Sequence, residues 1–284
     1  MSKKIAIVAD SSASVSDELT QKYNIFTSYM MIIFGSDSYQ EFKEISPAKF
    51  FELSASQSEL PTTSQPVIGL TVELYEQLLA DGYDEIIHIT ISSGLSGSYQ
   101  SAINAADMVD ADKIHVFDSR TVAFPQGILT VKAAELASAG TPAEEIIAVL
   151  EGLRAHSHIC ATVKTLDNLR KGGRLSNASA VIGSMLQVKP IIAMSPEGKL
   201  EAVGKVRTFK KAIAALVEQA KDANLDESYE IAIIHVINPE EGEALKAEIA
   251  AIYPNIKIHL LPLSLTVSAH VGEGTLAVAW GKAN

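Results

Sequence analysis

Short, almost unbroken apolar runs at residues 5–9, 29–33, 86–91 and 113–117 alternate with segments of helical period at 69–79, Ser98–Val109 and 122–139. Strands buried on both faces read as continuous apolar runs, whereas half-exposed ones alternate with polar residues. The pattern therefore predicts a parallel sheet covered by helices on both sides, an α/β domain over residues 1–160. A helix at 142–156, with Thr141 as N-cap and Pro142 at its first position, closes this part.

Strand candidates at 159–163, 190–194, 200–206, 231–236 and 257–261 then dominate. Ser195-Pro196-Glu197-Gly198 has tight-turn chemistry, so 190–206 reads as an antiparallel hairpin. With helices at Phe209–Asp222 and Pro239–Ile252, residues 161–284 read as an α+β C-terminal domain.

A chain of 284 residues, 47% of them apolar, can bury a large core or enclose an apolar cavity without covalent staples. Cys160 has no second cysteine to pair with, and Met1-Ser2-Lys3-Lys4 with the apolar run 5–9 lacks the pattern of a signal peptide. The apolar runs fall far short of the roughly 18–20 residues that span a bilayer. The expectation is a cytoplasmic protein with no membrane span and at most transient contact with a membrane.

The net charge of −11 is unevenly distributed. Residues 50–112 contain no Lys or Arg, whereas residues 160–211 carry ten against three acids. A solvated basic face is the plain explanation; two halves with different partners is the sharper one.

Two hydroxyl-rich stretches lie in the cation-free part. Thr90-Ile91-Ser92-Ser93-Gly94-Leu95-Ser96-Gly97-Ser98-Tyr99-Gln100 joins a strand to a helix, and Leu60-Pro61-Thr62-Thr63-Ser64-Gln65-Pro66 precedes another helix. Helix N-termini beyond the carboxyl ends of parallel strands favour anions, and Gly94 and Gly97 permit close backbone approach. Simple N-capping is the competing account. Neither phosphate-loop pattern occurs. Without cations, hydroxyls and backbone N–H groups suit one carboxyl group better than a polyanionic phosphate.

Gly94-Leu95-Ser96-Gly97-Ser98 fails the Gly-x-Ser-x-Gly elbow of serine hydrolases at its last position. His156 and His158 flank Ser157 without a third metal ligand nearby, so no metal is expected. His270 sits in a glycine-flanked turn, where an imidazole can reach a carboxylate. Arg170-Lys171-Gly172-Gly173-Arg174 and Lys205-Val206-Arg207 form the basic segments.

Val8-Ala9-Asp10-Ser11-Ser12, the 61–66 and 92–102 stretches, Lys171-Gly172-Gly173-Arg174-Leu175-Ser176 and His270-Val271-Gly272-Glu273-Gly274 follow one another in an order that resembles the DegV family of bacterial fatty-acid-binding proteins, some of which are the binding subunit of a fatty acid kinase. The resemblance implies a two-domain α/β protein enclosing one long-chain fatty acid. Its carboxyl group would be held by Thr62 or Thr63, Ser93 with Gly94, and His270.

The resemblance also implies that Arg174 and Arg207 face a kinase that converts the carboxyl group to an acyl phosphate for phospholipid synthesis. The chain itself would then be a carrier with no cofactor and no catalytic residue. The sequence departs from the family pattern at Glu273, commonly proline, and at Gln40-Glu41-Phe42, where Asp-Gly usually follows the tyrosine.

The alternative is a stand-alone acyl hydrolase or phosphotransferase using Ser93 and His270, or Asp10 as base. A nucleic-acid partner is not expected, because the basic segment lacks interleaved aromatics for base stacking.

Overall fold

In the computed structural model, which describes residues 3–57, 59–176 and 188–283, the chain forms three sheets. Strands β1 (Ile5–Asp10), β2 (Phe26–Ser28), β6 (Glu85–Thr90) and β7 (Ile114–Asp118) make a parallel sheet in the order β2-β1-β6-β7. Its two faces show why the runs are continuous. Ile5, Ile7, Ile87 and Ile89 point to one side, under α5 (Phe124–Ser138) and α6 (Ala143–Arg154). Ala6, Val8 and Ile86 point to the other, under α3 (Ile68–Ala80) and α4 (Ser98–Val109).

Two local expectations need correction. The run at 29–33 is not a strand of this sheet. Residues Met31–Phe34 form β3, which pairs antiparallel with β4 (Asp37–Gln40) and β5 (Thr62–Ser64) in a separate small sheet, and the three-residue β2 takes the edge position. An apolar run specifies burial but not which strand it pairs with. Helix α6 starts one residue late: Pro142, with ψ 150°, is itself the N-cap, and Thr141 lies outside the helix.

The second sheet runs β10-β9-β8-β13-β11-β12, comprising β8 (His158–Thr162), β9 (Lys189–Met194), β10 (Leu200–Val206), β11 (Tyr229–His235), β12 (Lys257–Pro262) and β13 (Leu276–Lys282). Only the β11–β12 pair is parallel. The expected hairpin is β9–β10: Gly198, at φ +76°, donates to Ser195 O at 2.9 Å, and Ser195 N donates to Lys199 O at 2.7 Å. Sequence reading missed β13, an alanine-containing strand at the sheet centre.

Side chains alternate across this sheet except at the bulge between Ala202 and Gly204 of β10. Cys160, Ile191, Ile233 and Val278 face α8 (Phe209–Asp222) and α9 (Pro239–Ile252). Ala161, Ile192, Ile234 and Ala277 face the other way, packing in one cluster with Met30, Ile91, Val122 and Phe124. Helix α5 is buried over Phe124–Thr130 because it packs against both β1 and β13, which ties the halves together. The small sheet packs with α2 (Pro47–Ser56) against α10 (Leu265–Val271) through Ile32, Phe34, Phe50, Leu265 and Ala269.

Candidate functional site

An apolar cavity of about 90 Å³ lies where the three sheets meet. Ile91, Leu95 and Val122 from the loops that follow the parallel strands, Ile159, Ala161, Ile192 and Ala277 from the large sheet, and Met30 from the segment leading into the small sheet line it. Its polar lining is sparse and includes Thr63, Ser96, Arg174 and His270.

Four segments supply these groups. Thr63 is the middle residue of β5, so strand alternation turns it inward and leaves Thr62 exposed. His270 lies in the last turn of α10, which Ser264 caps through Val267 N and Gly272 ends at φ +79°. Thr63 Oγ1 and His270 Nε2 are 2.7 Å apart. Gly172 packs on the other ring nitrogen, and a Cβ there would come within 2.7 Å of Nδ1, which explains a glycine in the basic turn. In the turn that carries Glu273, Gly274 N donates to Val236 O at 2.9 Å.

Arg174 donates from Nε to Leu95 O at 3.1 Å and from Nη1 to Gly172 O at 2.6 Å. Both acceptors are neutral, and no carboxylate of the described residues lies within ion-pair distance of this guanidinium. Burial, reinforced by the Arg174 charge, pulls the His270 pKa down to about 4. The imidazole is therefore neutral at pH 7, and the positive charge beside Thr63 belongs to Arg174.

This revises the picture of an anion site without cations. Folding carries a cation from the basic half to the hydroxyl loops of the other half. Arg174, expected on an outer face, is half-buried and lines the cavity; Arg207 is exposed.

The 92–98 loop is also used differently. Ser93 Oγ donates to Asp118 Oδ2 at 2.6 Å and Ser93 N to Asp118 Oδ1 at 3.1 Å, outside the cavity lining. Gly94 packs against the Gly198 carbonyl of the β9–β10 turn, while Ser96 lines the cavity. Nothing in the spacing of four serines distinguishes Ser96 from Ser93; the direction of each depends on what the loop packs against.

Asp10, at the end of β1, reaches into the 91–98 loop. Asp10 Oδ2 accepts from Ile91 N at 2.7 Å and from Ser98 Oγ at 2.8 Å. Oδ1 faces His88 Nε2 at 3.3 Å, and His88 Nδ1 lies 2.6 Å from the Tyr75 hydroxyl. Neither Val67 at α3 nor Gly97 at α4 caps with its own side chain, while Ser96 Oγ accepts from Ser98 N at 3.2 Å at the start of α4, so capping accounts for one hydroxyl of that loop.

The remaining histidines near β8 are otherwise engaged. His156 Nδ1 is 3.1 Å from Tyr229 Oη, and His158 stacks on Trp280 with ring centroids 4.8 Å apart. Among the described residues no three His, Cys, Asp or Glu side chains converge as a metal site, and no helix is long and apolar enough to cross a membrane.

Residues 4–283 match the family model described as "Uncharacterised protein, DegV family". A DegV domain-containing protein of Listeria innocua is 35% identical over 284 residues, covering 99% of each chain. Among solved structures, DegV of Bacillus subtilis, described as a fatty acid binding protein, superposes with a TM-score of 0.88 at 36% identity, covering 99% of this chain and 100% of that one. A fatty acid binding DegV family protein of Streptococcus agalactiae superposes at 0.91 with 28% identity and the same coverage. The sequence motifs, the match over residues 4–283 and the 35% identical relative thus have one common explanation: the chain belongs to the DegV family.

Proposed function

We propose that this chain binds one long-chain fatty acid, with the tail in the apolar cavity and the carboxyl group at Thr63, His270 and Arg174. The observation that carries the reading is the Thr63–His270 pair beside an uncompensated guanidinium on a cavity otherwise lined almost wholly by carbon. Burial of the tail, at about 0.8 kcal/mol per CH₂, supplies most of the affinity, and the polar groups orient the ligand. The fatty-acid-binding neighbours support the same reading.

Native mass spectrometry of the purified protein is expected to show a co-purifying fatty acid. Thr63→Val, which keeps the shape and removes the hydroxyl, is expected to weaken binding roughly ten- to a hundredfold, as for one hydrogen bond to a charged group. An unchanged affinity would move the carboxyl group elsewhere.

The reading extends to presentation of the carboxyl group to a partner kinase, a nucleoside triphosphate donating its terminal phosphoryl group to a carboxylate oxygen to give an acyl phosphate and the diphosphate. The exposed Arg207, with Lys205, Lys210 and Lys211 nearby in sequence, supports a docking face for an acidic surface. Arg207→Ala is expected to retain ligand and to slow kinase-dependent acyl phosphate formation at least tenfold; an unchanged rate sinks the docking role. Arg174 lines the cavity, so Arg174→Ala is expected to affect retention as well.

A stand-alone hydrolase is disfavoured by geometry. Ser93 is bonded to Asp118, not to His270. Among the described residues no carboxylate orients the ring of the Thr63–His270 pair, and an imidazole held near pKa 4 is a weak general base at neutral pH.

A further inference from the structure

We infer that Glu41 is a positioning residue for the cavity: its carboxylate holds α10, and through α10 His270, in register with Thr63. The inference deepens the proposed ligand site and rests on that site's geometry. Glu41 is completely buried. Oε1 accepts from Thr266 N at 2.7 Å and Oε2 from Ser11 Oγ at 2.5 Å. Ser11 Oγ in turn accepts from Met30 N at 3.0 Å, and Glu41 N donates to Met30 O at 2.9 Å. One carboxylate thereby joins the turn after β1, the segment entering the small sheet, and the first turn of α10.

Two of the joined residues, Met30 and Thr266, line the cavity, as does His270 one turn further along the helix. At seven residues α10 is too short to hold itself, so its placement depends on such contacts. No cation of the described residues pairs with Glu41; burial pushes its pKa up, and the bonds from Ser11 and Thr266 oppose that shift. The next residue, Phe42, takes φ +62° with its ring half-exposed. A bulky residue in that region is strained, and the strain accompanies the bend that turns Glu41 inward.

The test reads His270 directly. In the ligand-free full chain, the imidazole ¹⁵N shifts of His270 report its bond to Thr63, with Thr63→Val as the reference for loss. Glu41→Ala is expected to move the signals to the Thr63→Val values and to speed palmitate release at least tenfold. Glu41→Gln keeps one acceptor for Thr266 N and should restore both readouts to within about threefold.

Ser11→Ala removes the other partner; it should lower the melting temperature but leave the His270 shifts in place. Should Glu41→Ala fail to fold, Glu41→Asp, one methylene short, takes its place with the same expected shift. His270 signals that stay at wild-type values in the folded Glu41 variant, or that move equally in Ser11→Ala, overturn the inference. Wild-type protein that shows the Thr63–His270 bond but takes up no palmitate would fail the fatty-acid reading and leave this one standing.

Discussion

Ala277→Phe is expected to abolish retention of a long-chain fatty acid while the protein remains folded. Ala277 is buried on the central strand β13, opposite Ala161 of β8, and both residues line the cavity. Small side chains on neighbouring strands leave the space that the tail is proposed to fill. A benzyl group there occupies the cavity itself. Overpacking of a filled core costs about 1–3 kcal/mol, and a pre-existing void reduces that cost. Excluding about six methylenes of tail, at about 0.8 kcal/mol each, removes about 5 kcal/mol, or between three and four orders of magnitude in affinity. Titration calorimetry with palmitate, alongside a thermal melt, separates the two effects. A folded Ala277→Phe protein with wild-type affinity would show that the tail lies elsewhere.

The largest stability loss is expected at Asp10. Its carboxylate meets Ile91 N, Ser98 Oγ and His88 Nε2 with no exposure to water. His88 Nε2 lies 3.3 Å from Oδ1 without a hydrogen bond between them, and His88 Nδ1 lies 2.6 Å from the Tyr75 hydroxyl. Asp10→Ala leaves two buried donors, Ile91 N and Ser98 Oγ, without their acceptor, and breaking a buried polar network from one side costs about 3–5 kcal/mol. Asp10→Asn retains one acceptor but turns an N–H toward His88 or Ser98, so an intermediate loss is expected. Urea denaturation monitored by circular dichroism measures both. A loss below about 1 kcal/mol for Asp10→Ala would mean that the loop is held by its packing alone. Because this loop carries Leu95 and Ser96, the same variant should also weaken ligand retention.

Much of the architecture was legible because strand and helix periods are local. Helices Ser98–Val109, Phe209–Asp222 and Pro239–Ile252 have the bounds read from their spacing. The Pro-x-Gly turn announced the β9–β10 hairpin for the same reason: the needed φ at Gly198 is a property of that residue. β13 was illegible because Leu-Ala-Val-Ala has weak strand propensity, and its burial comes from β8 and β11 on either side. The short strands β2, β4 and β5 escaped because three or four residues carry too little pattern.

For the site, the sequence supplied the stretches and the tertiary structure chose among their residues. The hydroxyl loops, the basic turn, the glycine-flanked His270 and the family resemblance are all local spacings, readable without knowing what lies across the molecule. That Thr63 rather than Thr62, Ser96 rather than Ser93, and Arg174 line the cavity depends on contacts between segments far apart in the chain. Thr63 and His270 are 207 residues apart, and Leu95 and Arg174 are 79 apart. Charge counted along the chain therefore showed one half without cations, while charge in space places Arg174 beside its hydroxyls: electrostatic interaction depends on distance through the folded molecule, not on separation in sequence.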